Sequence, residues 1–132
     1  MTHLPVLVVL LTVLLLFVVT LMTGRARRKY GIQAPATSGH PLFERAYRIQ
    51  MNTLEHTVIF LPALWLAARF GNAPAAGILG LIWILGRVWY VPAYMHDPAK
   101  RERPFLLTLL ALVLLILLAI WGVIRLFLSA SA

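Results

Sequence analysis

Residues Leu4 to Met22 form an almost unbroken run of leucine and valine. A helix over that run spans roughly 28 Å at ~1.5 Å per residue, close to the ~30 Å hydrocarbon core of a bilayer. A helix with no polar face has nowhere to meet water, so this one run confines the chain to membrane architectures. Three further segments, at about 41–70, 75–94 and 104–128, read as helices of spanning length. The expected fold is therefore an all-α integral membrane protein, a four-transmembrane-helix bundle in one domain over residues 1–132. The overall make-up, 61% hydrophobic and 12% charged, agrees with that class. A cleaved signal peptide would place basic residues before the apolar core and a small-residue cleavage site after it. Here His3 and Pro5 stand in front, while Arg25, Arg27, Arg28 and Lys29 follow. The run reads as a retained first span.

The formal charge of +8 raises the question of nucleic acid, but the placement of the bases answers it. Arg25, Arg27, Arg28, Lys29, Arg45, Arg48, Lys100, Arg101 and Arg103 flank the loops joining helices 1 to 2 and 3 to 4, and Arg87 points to the same side. Only Arg69 and Arg125 fall at the opposite ends. By the positive-inside rule, both termini lie outside and both basic loops face the cytoplasm. The short tails read as prokaryotic, which makes a bacterial inner membrane the expected location. With no cysteine in the chain, a disulfide framework, a thiolate metal site and a cysteine nucleophile are all excluded. Any thiol chemistry must use a thiol that the substrate brings. His3, His40 and His96 lack metal-ligand spacing, so no metal is expected.

Local punctuation sets the helix ends. Tyr30 to Gly39 (YGIQAPATSG) is a loop by its Gly, Pro and Ser/Thr content, and Pro41 suits the first turn of helix 2, with Glu44 near its positive end. Pro62 removes one backbone hydrogen bond inside helix 2 and is expected to bend it. Gly71, Asn72 and Pro74 make a tight turn into helix 3, where Gly77 and Gly80 permit close helix approach. HDPAKRER (96–103) forms the second basic loop, and Pro104 opens helix 4.

The polar residues inside the spans carry the functional information. In FERAYRIQMNTLEHTVIF (43–60), Arg45, Arg48, Asn52 and Glu55 are spaced i, i+3, i+7 and i+10, so they share one helix face. Arg87, Tyr90 and Tyr94 repeat the pattern at i, i+3 and i+7 in helix 3. A charge near the bilayer centre costs roughly 2.5–3.5 kcal/mol on insertion scales, so such ladders need a reason. One is an internal ion pair of Glu55 with Arg48 or Arg87. The other is a lined pocket. Several guanidinium groups with one or two carboxylates imply an anionic ligand with more than one carboxylate. Glu55 suits an ammonium, and Asn52 and Gln50 suit amides. Anion, amine and amide together describe a small peptide, with room beside it for a lipophilic second ligand lying in the membrane.

ERAYRIQMNTLEH, GRVWYVPAY and AKRERP together resemble the motif set of the MAPEG family, the membrane-associated proteins of eicosanoid and glutathione metabolism. Within it they are most similar to the microsomal glutathione transferase 2 and leukotriene C4 synthase branch. The resemblance implies a homotrimer with glutathione bound between neighbouring subunits near the cytoplasmic face. It assigns Arg48, Asn52, Glu55, Tyr90 and Tyr94 to glutathione from one subunit, with Arg28 and Gln50 reaching it from the next. Arg101 matches the arginine that activates the thiol, Arg28 is the second choice, and Arg87 organises the site. His56 stands where the closest branch often has tyrosine, which alters one contact to the peptide. The implied activity is that of a membrane glutathione transferase, with reduction of lipid hydroperoxides as a second activity. The competing readings are a lipid-binding protein that keeps the fold without catalysis, and a small multidrug exporter. An exporter of that kind uses an acid in its first helix, and helix 1 here has none.

Overall fold

The structure is a computed structural model that describes residues 3 to 132. Residues 1 and 2 of the single domain expected over 1–132 lie outside the described residues. Four long helices run alternately up and down: α1 (Leu4–Lys29), α2 (Pro41–Leu66), α3 (Ala73–His96) and α4 (Glu102–Ala130). A π-helical turn (Ala67–Gly71) extends α2, and a 3₁₀ turn (Pro98–Arg101) precedes α4.

Among the described residues three stretches, Leu4–Lys29, Ala73–His96 and Pro98–Ala130, are long and apolar enough to cross a membrane. Helix α2 is as long as α1 but carries the charged ladder in its first half, which lowers its hydropathy below that of the other three. Along α1 and α4 large apolar side chains face outward, among them Val6, Leu10, Phe17, Leu110, Leu117 and Ile124. Water would not support so much exposed apolar surface; lipid does.

Helix 1 departs from expectation at its end. It continues seven residues past Met22, through the basic segment to Lys29. Arg27, Arg28 and Lys29 occupy its last turn, where cations meet the negative end of the helix dipole. Pro62 lies inside α2 without ending it. The π turn that follows is closed where Asn72 N–H reaches back five residues to the carbonyl of Ala67 at 2.9 Å. Asn72 then caps α3, its Oδ1 accepting from Ala75 N–H at 2.9 Å. One residue thus closes one helix and opens the next.

The core lies where α3 meets its neighbours. Phe60 of α2 stacks on Trp83 of α3, ring centroids 3.9 Å apart. Small residues let backbones approach: an added Cβ at Gly77 would collide with Leu4, and one at Gly80 with Val8. At the end away from the basic loops, Arg125 donates to the carbonyls of Phe70 (3.1 Å) and Gly71 (3.5 Å) and lies over the Trp121 ring at 4.3 Å. It thereby satisfies carbonyls that the π turn leaves open. Arg125→Ala should cost about 1 kcal/mol, below the ~1.5–3 kcal/mol of a charged hydrogen bond because Arg125 is exposed. The melting temperature in detergent measures it, and Arg125→Lys should restore part of the loss.

Candidate functional site

At the basic end of the bundle the helices part to form an open cleft of about 660 Å³. Helix α2 supplies Arg48, Met51, Asn52 and Glu55, and α3 supplies Tyr90 and Tyr94. The 3₁₀ turn and the start of α4 close the far wall with Pro98, Ala99, Arg101, Glu102 and Phe105. The i, i+4 and i, i+7 spacings within α2 put Arg48, Asn52 and Glu55 on one stripe, and the antiparallel hairpin brings that stripe beside Tyr90 and Tyr94.

The far wall is built locally. The Asp97 side chain accepts from Ala99 N–H at 3.0 Å, and Lys100 N–H bonds to the Asp97 carbonyl at 2.9 Å. With Pro98 holding the first position, that tight turn swings Arg101 back over the end of α3. There Arg101 Nη1 donates to the Tyr94 hydroxyl at 3.2 Å, its guanidinium 5.1 Å from the ring centroid.

Arg87 lies behind the cleft rather than in it. It is fully buried, and its Nη1 donates to Asn52 Oδ1 at 2.7 Å. Nε and Nη2 are buried without partners among the described residues. The charge rests against the faces of Tyr90 (4.7 Å) and Trp83 (5.5 Å). The ion pair envisaged between Arg87 and Glu55 is thus replaced by a bond to Asn52. Glu55 remains an exposed wall residue of the cleft.

Other candidate residues fall elsewhere. Arg45, the first rung of the helix 2 ladder, turns to the end of α3 and donates to the carbonyl of Met95 at 2.8 Å. The open carbonyls of a helix C-terminus attract a cation strongly enough to take it out of the ladder. His56 does not line the cleft; its ring packs edge-on against Phe105 with centroids 5.3 Å apart, and Nδ1 is buried and has no partner among the described residues. Gln50 Nε2 donates to Thr20 Oγ1 at 3.2 Å, tying α2 to α1. Arg28 is exposed at the end of α1, in a separate hollow with Gly24, Arg27 and Gly31. Among the described residues no group of three or more His, Cys, Asp or Glu could hold a metal ion.

Two features of the cleft were not anticipated. Glu102 lines it, hidden in sequence among the bases of the second loop, and Phe105 and Met51 supply apolar wall. The cleft of a single chain therefore holds two guanidinium groups, Arg48 and Arg101, against two carboxylates, Glu55 and Glu102. Two carboxylates fit the one or two expected, while Arg45 and Arg87 of the several guanidinium groups are drawn to other partners.

Residues 5–121 match the model of the MAPEG family. The chain is 42% identical over 109 residues to human microsomal glutathione S-transferase 2, covering 83% of this chain and 74% of that one. It is 38% identical over 125 residues to leukotriene C4 synthase of Cavia porcellus, covering 95% and 83%. An uncharacterized protein of Synechocystis sp. is 41% identical over 119 residues, covering 90% and 87%. With a family match across most of its length and relatives at this level of identity, the chain belongs to the MAPEG family of membrane proteins.

Proposed function

We propose that this protein is a membrane glutathione transferase that ionises the glutathione thiol and directs it at lipophilic electrophiles. What carries the reading is the convergence of Arg48, Asn52, Glu55, Tyr90, Tyr94 and Arg101, drawn from three separate elements, on one open cleft. Their chemistry suits a tripeptide. Arg48 pairs with a carboxylate, Glu55 takes the ammonium, Asn52 takes an amide, and Arg101 faces the sulfur. In conjugation the thiolate forms a C–S bond while the leaving group departs with its electron pair. With a lipid hydroperoxide the same thiolate attacks the terminal peroxide oxygen, the O–O bond breaks and the lipid alkoxide leaves to take a proton as the alcohol. A second glutathione thiol then displaces water from the resulting sulfenic acid to give the disulfide.

The working unit in this proposal is a homotrimer of four-span subunits in a bacterial inner membrane, with termini outside and the cleft towards the cytoplasm. Glutathione with an ionised thiol carries a net charge of about −2, and the cleft of one chain is nearly balanced. That shortfall supports a cation from a neighbour, which Arg28 would supply, with the Gln50 amide of the same neighbour completing the site. The exposed apolar sides of α1 and α4 leave the second substrate a route from the lipid.

The test is conjugation of glutathione to an aryl halide by the purified protein in detergent, with binding followed by calorimetry. Binding and turnover are expected. A protein that neither binds glutathione nor turns over would sink the proposal in favour of a lipid-binding role.

Arg87→Met separates support from stability. Burying a cation without a carboxylate is expensive, and a flexible apolar side chain of similar length fits the same space. The melting temperature should hold or rise, while loss of the bond to Asn52 should weaken glutathione binding by about tenfold, or ~1.4 kcal/mol. Calorimetry and a thermal melt on the same sample read both.

A further inference from the structure

On the other side of the 3₁₀ turn from the cleft lies a second groove, of about 650 Å³. Its floor is Trp89, Pro92 and Ala93 of α3, and its end is ringed by His96, Lys100 and Arg103, with Glu102 as its one carboxylate. We propose that this groove holds the headgroup of an anionic phospholipid, with Lys100 and Arg103 on the phosphate and Trp89 against the glycerol and upper acyl chain.

The depth of the groove favours lipid. Trp89 is 48% exposed and lies seven residues, roughly 10 Å, before the end of α3, within a stretch apolar enough to cross a membrane. Tryptophan at that level marks the boundary between headgroups and hydrocarbon. The two basic side chains stand just beyond it, exposed, where phosphates lie. Ala99 and Glu102 line both hollows, while Lys100 faces the groove and Arg101 the cleft. A lipid clamped on Lys100 would therefore hold the turn that carries Arg101, making lipid composition a regulator of the proposed glutathione site. Lipid binding itself does not depend on that site being a transferase.

Native mass spectrometry of the detergent-solubilised protein, titrated with phosphatidylglycerol or phosphatidylcholine, tests the proposal. At about fivefold per basic residue near the surface, two cations predict a preference of roughly 30-fold for phosphatidylglycerol. Lys100→Gln/Arg103→Gln should abolish it, while Lys100→Arg/Arg103→Lys and the first-loop pair Arg25→Gln/Lys29→Gln should keep it. In nanodiscs, amide exchange over residues 99–103 should slow severalfold in phosphatidylglycerol. A preference untouched by the Lys100/Arg103 pair, equal exchange in both lipids, or equal protection by inorganic phosphate would each overturn the proposal.

Discussion

Arg101→Ala is expected to remove nearly all of the glutathione thiolate at neutral pH. A free thiol has a pKa of about 8.5, so only about 3% is ionised at pH 7. A guanidinium that lowers it by about two units raises that to roughly 75%, for about 2.7 kcal/mol of preferential stabilisation. The thiolate absorbance of the bound peptide should therefore fall about 25-fold in the variant. The sign of the pH dependence follows: losing the cation raises the thiol pKa, so the variant regains thiolate as pH climbs through about 8.5. Wild type should already be near its plateau above pH 7. The rate behaves differently, because a more acidic thiol is also a poorer nucleophile. With a Brønsted slope of about 0.4–0.5, two units cost roughly eightfold per thiolate, leaving a net loss of only about threefold at pH 7. A larger fall in rate measures how much Arg101 also orients the sulfur. Tyr94→Phe, which deletes the hydroxyl that Arg101 bonds at 3.2 Å, should reproduce that orienting part while the charge stays in place.

Gly122→Ala is expected to be the most destabilising of the glycine-to-alanine changes within the helices. A Cβ there would stand 2.6 Å from Gly71 N and from the carbonyl carbon of Phe70, and 2.7 Å from the Phe70 oxygen. These are backbone atoms of the π turn and cannot swing aside as a side chain can. Overpacking of this kind costs on the order of 3 kcal/mol, against about 1 kcal/mol gained in helix propensity. The net loss, near 2 kcal/mol, should appear as a lower melting temperature in detergent. Gly24→Ala is the matched control. Gly24 lies inside α1 with nothing within 4 Å of the added carbon, so the same change there should raise stability by up to about 1 kcal/mol. Equal effects at the two sites would mean that α4 and the π turn do not meet as closely as described.

The membrane class, the helix order and the shared end of the two basic loops were legible in the chain because they are written in one-dimensional quantities: run length, hydropathy and the position of Lys and Arg. The two ladders were legible for the same reason, since 3.6-residue periodicity is local. Periodicity assigns a face but not a partner. Arg45 shares the face of Arg48 and Asn52, yet the open carbonyl of Met95 claims it. Arg87 reads as a cleft cation or an ion-pair partner, and burial against Trp83 and Tyr90 turns it into a support for Asn52 instead. His56 carries a family position but packs on Phe105, outside the cleft.

By itself, the string of residues determined that this chain must live in a bilayer and that polar groups would be carried into it on two stripes. Long-range packing decided which of those groups face an open space, which are spent on helix ends, and that Glu102 joins them across a tight turn. The difference is physical: hydropathy and helical period act over a few neighbours, whereas the company a guanidinium keeps depends on backbone ends brought beside it from dozens of residues away.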